Sequence, residues 1–142
     1  MPHDVFDLQR FVTAQAQLMG RVREELARGR KQSHWMWFVF PQLSGLGFSA
    51  MSQRYAIRSL DEAKAYIAHP VLGVRLKDCT TLVLAVEGRT INDIFGSPDD
   101  LKFQSCMTLF VHATPDVPEF RDALAKYFGS EEDAATLVKL DF

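Results

Sequence analysis

Residue types suited to chemistry crowd most closely between Ser33 and Gln42, where the chain reads Ser33-His34-Trp35-Met36-Trp37-Phe38-Val39-Phe40-Pro41-Gln42. Aromatic faces suit flat ligands such as nucleobases or flavin-like rings, and an indole N–H adds a polar handle. So many large side chains on a helix or tight turn cannot all face one interior. Either the segment crosses the protein and packs on both sides, or one side lines a pocket. Its polar members are His34, a structural hydrogen-bonding group or an acid–base, and Gln42, whose amide needs partners wherever it is buried. Further along, Arg75 offers a forked grip on phosphate or carboxylate, and Lys102, Gln104 and Ser105 are polar residues interleaved in an apolar stretch. Arg75 and Lys102 fit a salt bridge as readily as an anion site. The ligand-binding candidates are therefore His34, Trp35, Trp37, Gln42, Arg75, Lys102 and Ser105.

Several mechanisms have no sequence support. There is no GxxxxGK[ST] phosphate loop, no GxGxxG after a strand, no HExxH pair and no GxSxG elbow. The four histidines, His3, His34, His69 and His112, share no i,i+4 spacing, and Cys79 and Cys106 have no zinc-ligand spacing, so no metal and no cofactor is expected. Ser97-Pro98-Asp99-Asp100 opens a helix, but its two aspartates disfavour an anion there, and the motif reads as a cap.

The elements that carry these residues are helices with legible ends. Asp4 or Asp7 can cap a first helix with the stripe Leu8, Val12, Met19, Val22 and Leu26. Gln15 interrupts that stripe, leaving one long helix or two short ones, and Gly29 ends it. Ser33 is a candidate cap for a short turn through Phe38, which Pro41 stops. Residues 43–50 read as a loop containing Gly45-Leu46-Gly47. Ser59-Leu60-Asp61-Glu62 matches a capping box, and Pro70 suits the start of the next helix. There Leu72, Leu76, Cys79, Val83 and Val86 form one face. Thr90 to Gly96 makes a single turn. The helix after Pro98, through Phe103, Cys106, Met107 and Phe110, is apolar on all sides and is predicted to be the most buried. Helices after Pro118, stopped by Gly129, and after Ser130–Asp133 complete the chain. The competing strand candidates are Trp37–Phe40 and Leu82–Val86, the second inside a strong helical pattern. The pattern predicts an all-α fold, a single domain over residues 1–142 built as a bundle of about six to eight helices with non-parallel packing.

Bulk composition agrees. With 142 residues, 47% hydrophobic and 24% charged, the chain has enough apolar area to offset chain entropy. A formal charge of -2 and a pI near 6.1 give no case for nucleic acid or an anionic membrane as partner. Residues 21–31 carry five positive charges interrupted by Glu24 and Glu25, which reads as a solvated helix face. No apolar run approaches the roughly 20 residues of a membrane span. The polar start and two unpaired cysteines point to a reducing, cytoplasmic setting.

The chain resembles the bacterial family called domain of unknown function 1810. The resemblance is carried by Leu8-Gln9-Arg10-Phe11-Val12, by Ser33 to Gln42, by Gly45-Leu46-Gly47, and by Glu62-Ala63 with His69 to Leu76. It continues through Ile94-Phe95-Gly96, Pro98-Asp99 and Lys102 to Phe110. It implies a small all-α protein and no established activity. The name calpastatin sometimes given to members describes a long disordered inhibitor and does not suit a short, Phe-rich globule. A fainter similarity joins Ala63, Gly73-Val74-Arg75-Leu76 and Lys102-Phe103-Gln104 to proteins that cleave N-glycosidic bonds in NAD, ADP-ribose or riboflavin intermediates. Such chemistry wants a carboxylate near the sugar; Glu62, Asp78, Asp99 and Asp100 are the candidates. Two functions follow as expectations. One is a pocket for a nucleotide or ADP-ribose-like molecule, with or without hydrolysis. The other is a non-catalytic protein-interaction module whose aromatic segment is purely structural.

Overall fold

The computed structural model describes residues 4–141; His3 lies outside them. Ten helices make up the chain among these residues. They are α1 (Gln9–Gln15), α2 (Met19–Ala27), α3 (Met36–Val39), α4 (Ala50–Arg54), α5 (Leu60–Ala68), α6 (Leu72–Ala85), α7 (Ile91–Phe95), α8 (Asp99–Ala113), α9 (Pro118–Phe128) and α10 (Ala134–Lys139). The count exceeds the six to eight read from sequence because the first stripe divides into α1 and α2 and because α4, capped by the Ser49 hydroxyl, is only five residues long. No strand forms among the described residues. A single parallel bridge joins Leu43 to Ile57, and Trp37–Val39 lie within α3.

The division of the first stripe has a physical cause. Gln15 is 1% exposed, and its amide donates to the Phe38 carbonyl oxygen (2.6 Å) and the Tyr66 hydroxyl (3.2 Å). It is a core residue that ties α1 to α3 and α5. Asp4, rather than Asp7, opens α1: its carboxylate accepts from the backbone N–H of Leu8 and Gln9. α2 and α9 end before left-handed glycines, Gly29 (φ 72°) and Gly129 (φ 59°), as the spacing predicts.

Three helix starts differ from expectation. Ser59 accepts from the Glu62 N–H at 3.1 Å, but Glu62 does not reach back to Ser59. Its carboxylate instead takes the Arg10 guanidinium at 2.8 Å and the Arg58 N–H at 3.0 Å. The complete box lies at Thr90 and Asp93. Ser33 does not cap α3, since its hydroxyl donates to Glu25. Pro70 precedes α6 by a turn, and His69 performs the cap, its Nδ1 accepting from the N–H of Val71 and Leu72.

α8 is the most buried helix, with nine residues from Phe103 to Ala113 shielded from solvent. It packs on α5, α7, α9 and α10, and α6 closes the core against α2, α5 and α9. Gly73 sets the closeness of α5 and α6: a Cβ there would lie 2.0 Å from the Ile67 carbonyl oxygen.

The aromatic segment crosses this core. On one side Trp35 and Phe40 meet Phe95, and Phe40 meets Phe103 edge-on at 5.0 Å. On the other, Phe38 joins Tyr55, Phe11, Tyr66 and Phe110 in a continuous chain of ring contacts. Edge-to-face packing of this kind adds about 0.5–1.5 kcal/mol per pair beyond area burial.

Candidate functional site

α3 is one turn long, and its ends place the polar neighbours of the aromatic segment. Trp35 is 1% exposed, and its indole N–H donates to the Glu25 carboxylate at 3.0 Å. That carboxylate also accepts from the Ser33 hydroxyl (2.6 Å) and from the N–H groups of Gln32 (2.7 Å) and Ser33 (3.0 Å). Burial alone would raise the Glu25 pKa; the four hydrogen bonds outweigh burial and hold it at about 2. Glu25 therefore belongs to a buried charge site, not to the solvated face that its basic neighbours suggest. Trp35 is a core residue whose ring faces are not available for stacking. His34 points to solvent.

After Pro41 the chain turns into the 42–47 loop, fixed by the bridge to Ile57 and by the Ile57 N–H donating to the Gln42 carbonyl oxygen (2.8 Å). Between this loop, the start of α8 and the start of α10 lies a cleft of about 330 Å³. Gln42, Lys102, Ser105 and Asp133 supply its polar lining, and Leu46 and Leu101 are prominent on its apolar side. The volume falls at the lower end of small-ligand pockets. The Gln42 side-chain amide has no hydrogen-bond partner among the described residues. Ser105 is buried and donates to the Leu101 carbonyl oxygen one turn back in α8. Asp133 caps α10 by accepting from Thr136, and its own N–H donates to the Thr108 hydroxyl.

Lys102 is held from behind. Its ammonium sits 5.5 Å from the Trp37 ring centroid and 3.6 Å from Asp99. Asp99 makes its shorter contact, 2.9 Å, to Lys31, whose side chain is 9% exposed and lies over Trp35. Two cations thus share one carboxylate, each backed by a tryptophan.

Three sequence candidates, Gln42, Lys102 and Ser105, come together in the cleft, and Trp37 supports Lys102 from outside it. Arg75 does not line the cleft. It donates to the Gln15 side-chain oxygen at 3.2 Å and so completes the buried amide network. The lining residues missed from sequence are Leu46, Gly47, Pro98, Leu101, Asp133 and Ala135, most of which read there as loop, apolar surface or cap. The glycine pair flanking Leu46 was the only signal for the loop members. Of the acids considered for hydrolysis, Glu62 is buried against Arg10, Asp78 stands on the surface 3.8 Å from Arg23, and Asp100 accepts from Asn92. Among the described residues no group of three or more His, Cys, Asp or Glu is placed to hold a metal ion, and no helix is long and apolar enough to cross a membrane.

Helices packed about one aromatic-rich core, with a small polar-edged cleft beside α8, define a small all-α protein class. The chain belongs to the family described as protein of unknown function (DUF1810), whose model matches residues 5–140. It is similar to the conserved hypothetical protein Rv1873 from Mycobacterium tuberculosis, known from a crystal structure, at 56% identity over 98% of this chain and 99% of that one, with a TM-score of 0.96. No curated protein matches it.

Proposed function

We propose that the cleft between the 42–47 loop, α8 and α10 binds a small nucleotide-like molecule without cleaving it. The observation that carries this reading is the Gln42 amide, which has no partner among the described residues and lines the same cleft as Lys102. An amide offers one donor and one acceptor side, the pattern that reads a nucleobase or carboxamide edge, and Lys102 suits an anionic group. The apolar surface of Leu46 and Leu101 accepts a flat ring.

Binding is favoured over N-glycosidic hydrolysis because the nearby acids are committed elsewhere. Asp99 is shared by Lys31 and Lys102, and Asp133 caps α10. Two free, buried cysteines fit a reducing cytoplasm as the setting. The alternative, a protein-interaction module, draws on Phe48, 87% exposed just beyond cleft residue Gly47, and on Leu101, 57% exposed. A melting-temperature screen with AMP, ADP-ribose and riboflavin separates the two. A rise with at least one compound, abolished by Gln42→Ala, supports the pocket. No rise with any, together with concentration-dependent self-association lost in Phe48→Ser, supports the interaction module.

A further inference from the structure

The 42–47 loop also borders a second recess of about 370 Å³, which shares no lining residue with the cleft. Its walls are the loop itself, the turn leading into α5, and the end of α10. Arg58 and Lys139 line it together with Ser44 and Ser59, and no carboxylate of the described residues does. Neither cation has an ion-pair partner among the described residues, in contrast to Lys31 and Arg10.

The backbone that carries these groups is set by the fold. The Arg58 N–H is fixed by the buried Glu62 carboxylate, whose charge Arg10 neutralises. Ser59 accepts from the Glu62 N–H as the cap of α5, which leaves its hydroxyl proton free to be donated. Lys139 reaches across Gly45: a Cβ at that position would lie 2.9 Å from the ammonium nitrogen, and the Gly45 backbone stands at φ +90°. A side chain there would push the ammonium away, so Gly45 makes room for a cation at this recess.

We propose that this recess binds the phosphoryl group of a small phosphorylated metabolite. Arg58 and Lys139 hold its oxygens, and the Ser44 and Ser59 hydroxyls donate to them. A planar fork, a point charge and two hydroxyls supply more donors than a carboxylate can accept, and they match a dianion with three oxygens. Leu60 and Leu140 at the margin face the organic part of the ligand.

The test is an amide NMR titration at constant ionic strength, with inorganic phosphate in one arm and glycerol phosphate in the other. Saturable shifts are expected at Ser44, Gly45, Ser59 and Lys139, with affinity reduced about tenfold or more in each of Arg58→Gln and Lys139→Gln. Both side chains are exposed, so these variants keep the fold, which their spectra verify. Tighter binding of the ester assigns the site to a phosphorylated metabolite, and equal affinities assign it to free phosphate. Absence of saturable shifts at these residues in both arms, or affinities unchanged in both variants, overturns the proposal.

Discussion

Replacing Glu25 by glutamine keeps the side chain's shape and removes the charge at which four donors are aimed. The ordinary value of 4.5 falls to about 2 in the folded protein. A folded value below the unfolded one adds stability that is complete above about pH 4.5 and vanishes as the pH falls toward 2. The full shift corresponds to about 3 kcal/mol. The carboxylate borders a solvent-facing recess flanked by Arg21 and Arg28, and screening there brings the contribution to about 2 kcal/mol. Urea unfolding of Glu25→Gln is therefore expected to show a loss of about 2 kcal/mol at pH 7, with the difference from wild type narrowing steadily below pH 4.5. Any remainder that does not change with pH reports the poorer fit of an amide to four donors. A difference that stays flat from pH 7 to pH 3 would refute the reasoning, because it would mean that the charge on Glu25 does not organise the 32–35 turn.

Other consequences are simpler to check. Gly73→Ala is expected to cost about 3 kcal/mol or more by thermal unfolding, since the new methyl meets the Ile67 carbonyl and α5 and α6 must part; a loss below about 1 kcal/mol would contradict so close an approach. Arg10→Met strands the Glu62 carboxylate, 1% exposed, and is expected to destabilise by about 3–5 kcal/mol; denaturant unfolding measures this, and a near-neutral change would contradict it. Burial, only partly offset by Arg23, pushes the Cys79 thiol up to about 12, and burial raises Cys106 well above its ordinary value. Neither thiol is expected to react with Ellman's reagent at pH 8 until the protein is unfolded, and prompt labelling of the native protein would contradict this.

Much of the fold was legible because helix ends are written in short-range chemistry. Asp4, Ser59, Thr90, Pro118 and Gly129 act where their spacing places them. Burial of apolar faces was legible for the same reason, as with Leu72, Leu76, Cys79 and Val83 in α6. What the sequence concealed was long-range pairing of polar groups. Gln15 breaks an apolar stripe on paper and is a core residue in space, because its partners Phe38 and Tyr66 lie 23 and 51 residues away. Ser33 looks like a cap, yet its hydroxyl is drawn to a carboxylate eight residues back. Glu25 is indistinguishable from its solvated neighbours until Trp35 is seen to donate to it. At the candidate site, Gln42, Lys102 and Ser105 were nameable because polar residues in apolar surroundings draw attention. Their convergence, and the part of α10 in the cleft, depend on how a loop and a short helix meet, which no local pattern encodes.

Calorimetric titration of AMP and ADP-ribose into wild type, Gln42→Ala and Arg75→Ala tests the cleft most directly. Loss of the Gln42 hydrogen bonds is expected to raise Kd about tenfold. Arg75→Ala, which disturbs only the buried Gln15 network, is expected to leave Kd unchanged. Failure of both compounds to bind, or a Kd that is unchanged by Gln42→Ala, would contradict the assignment of the cleft as the ligand site.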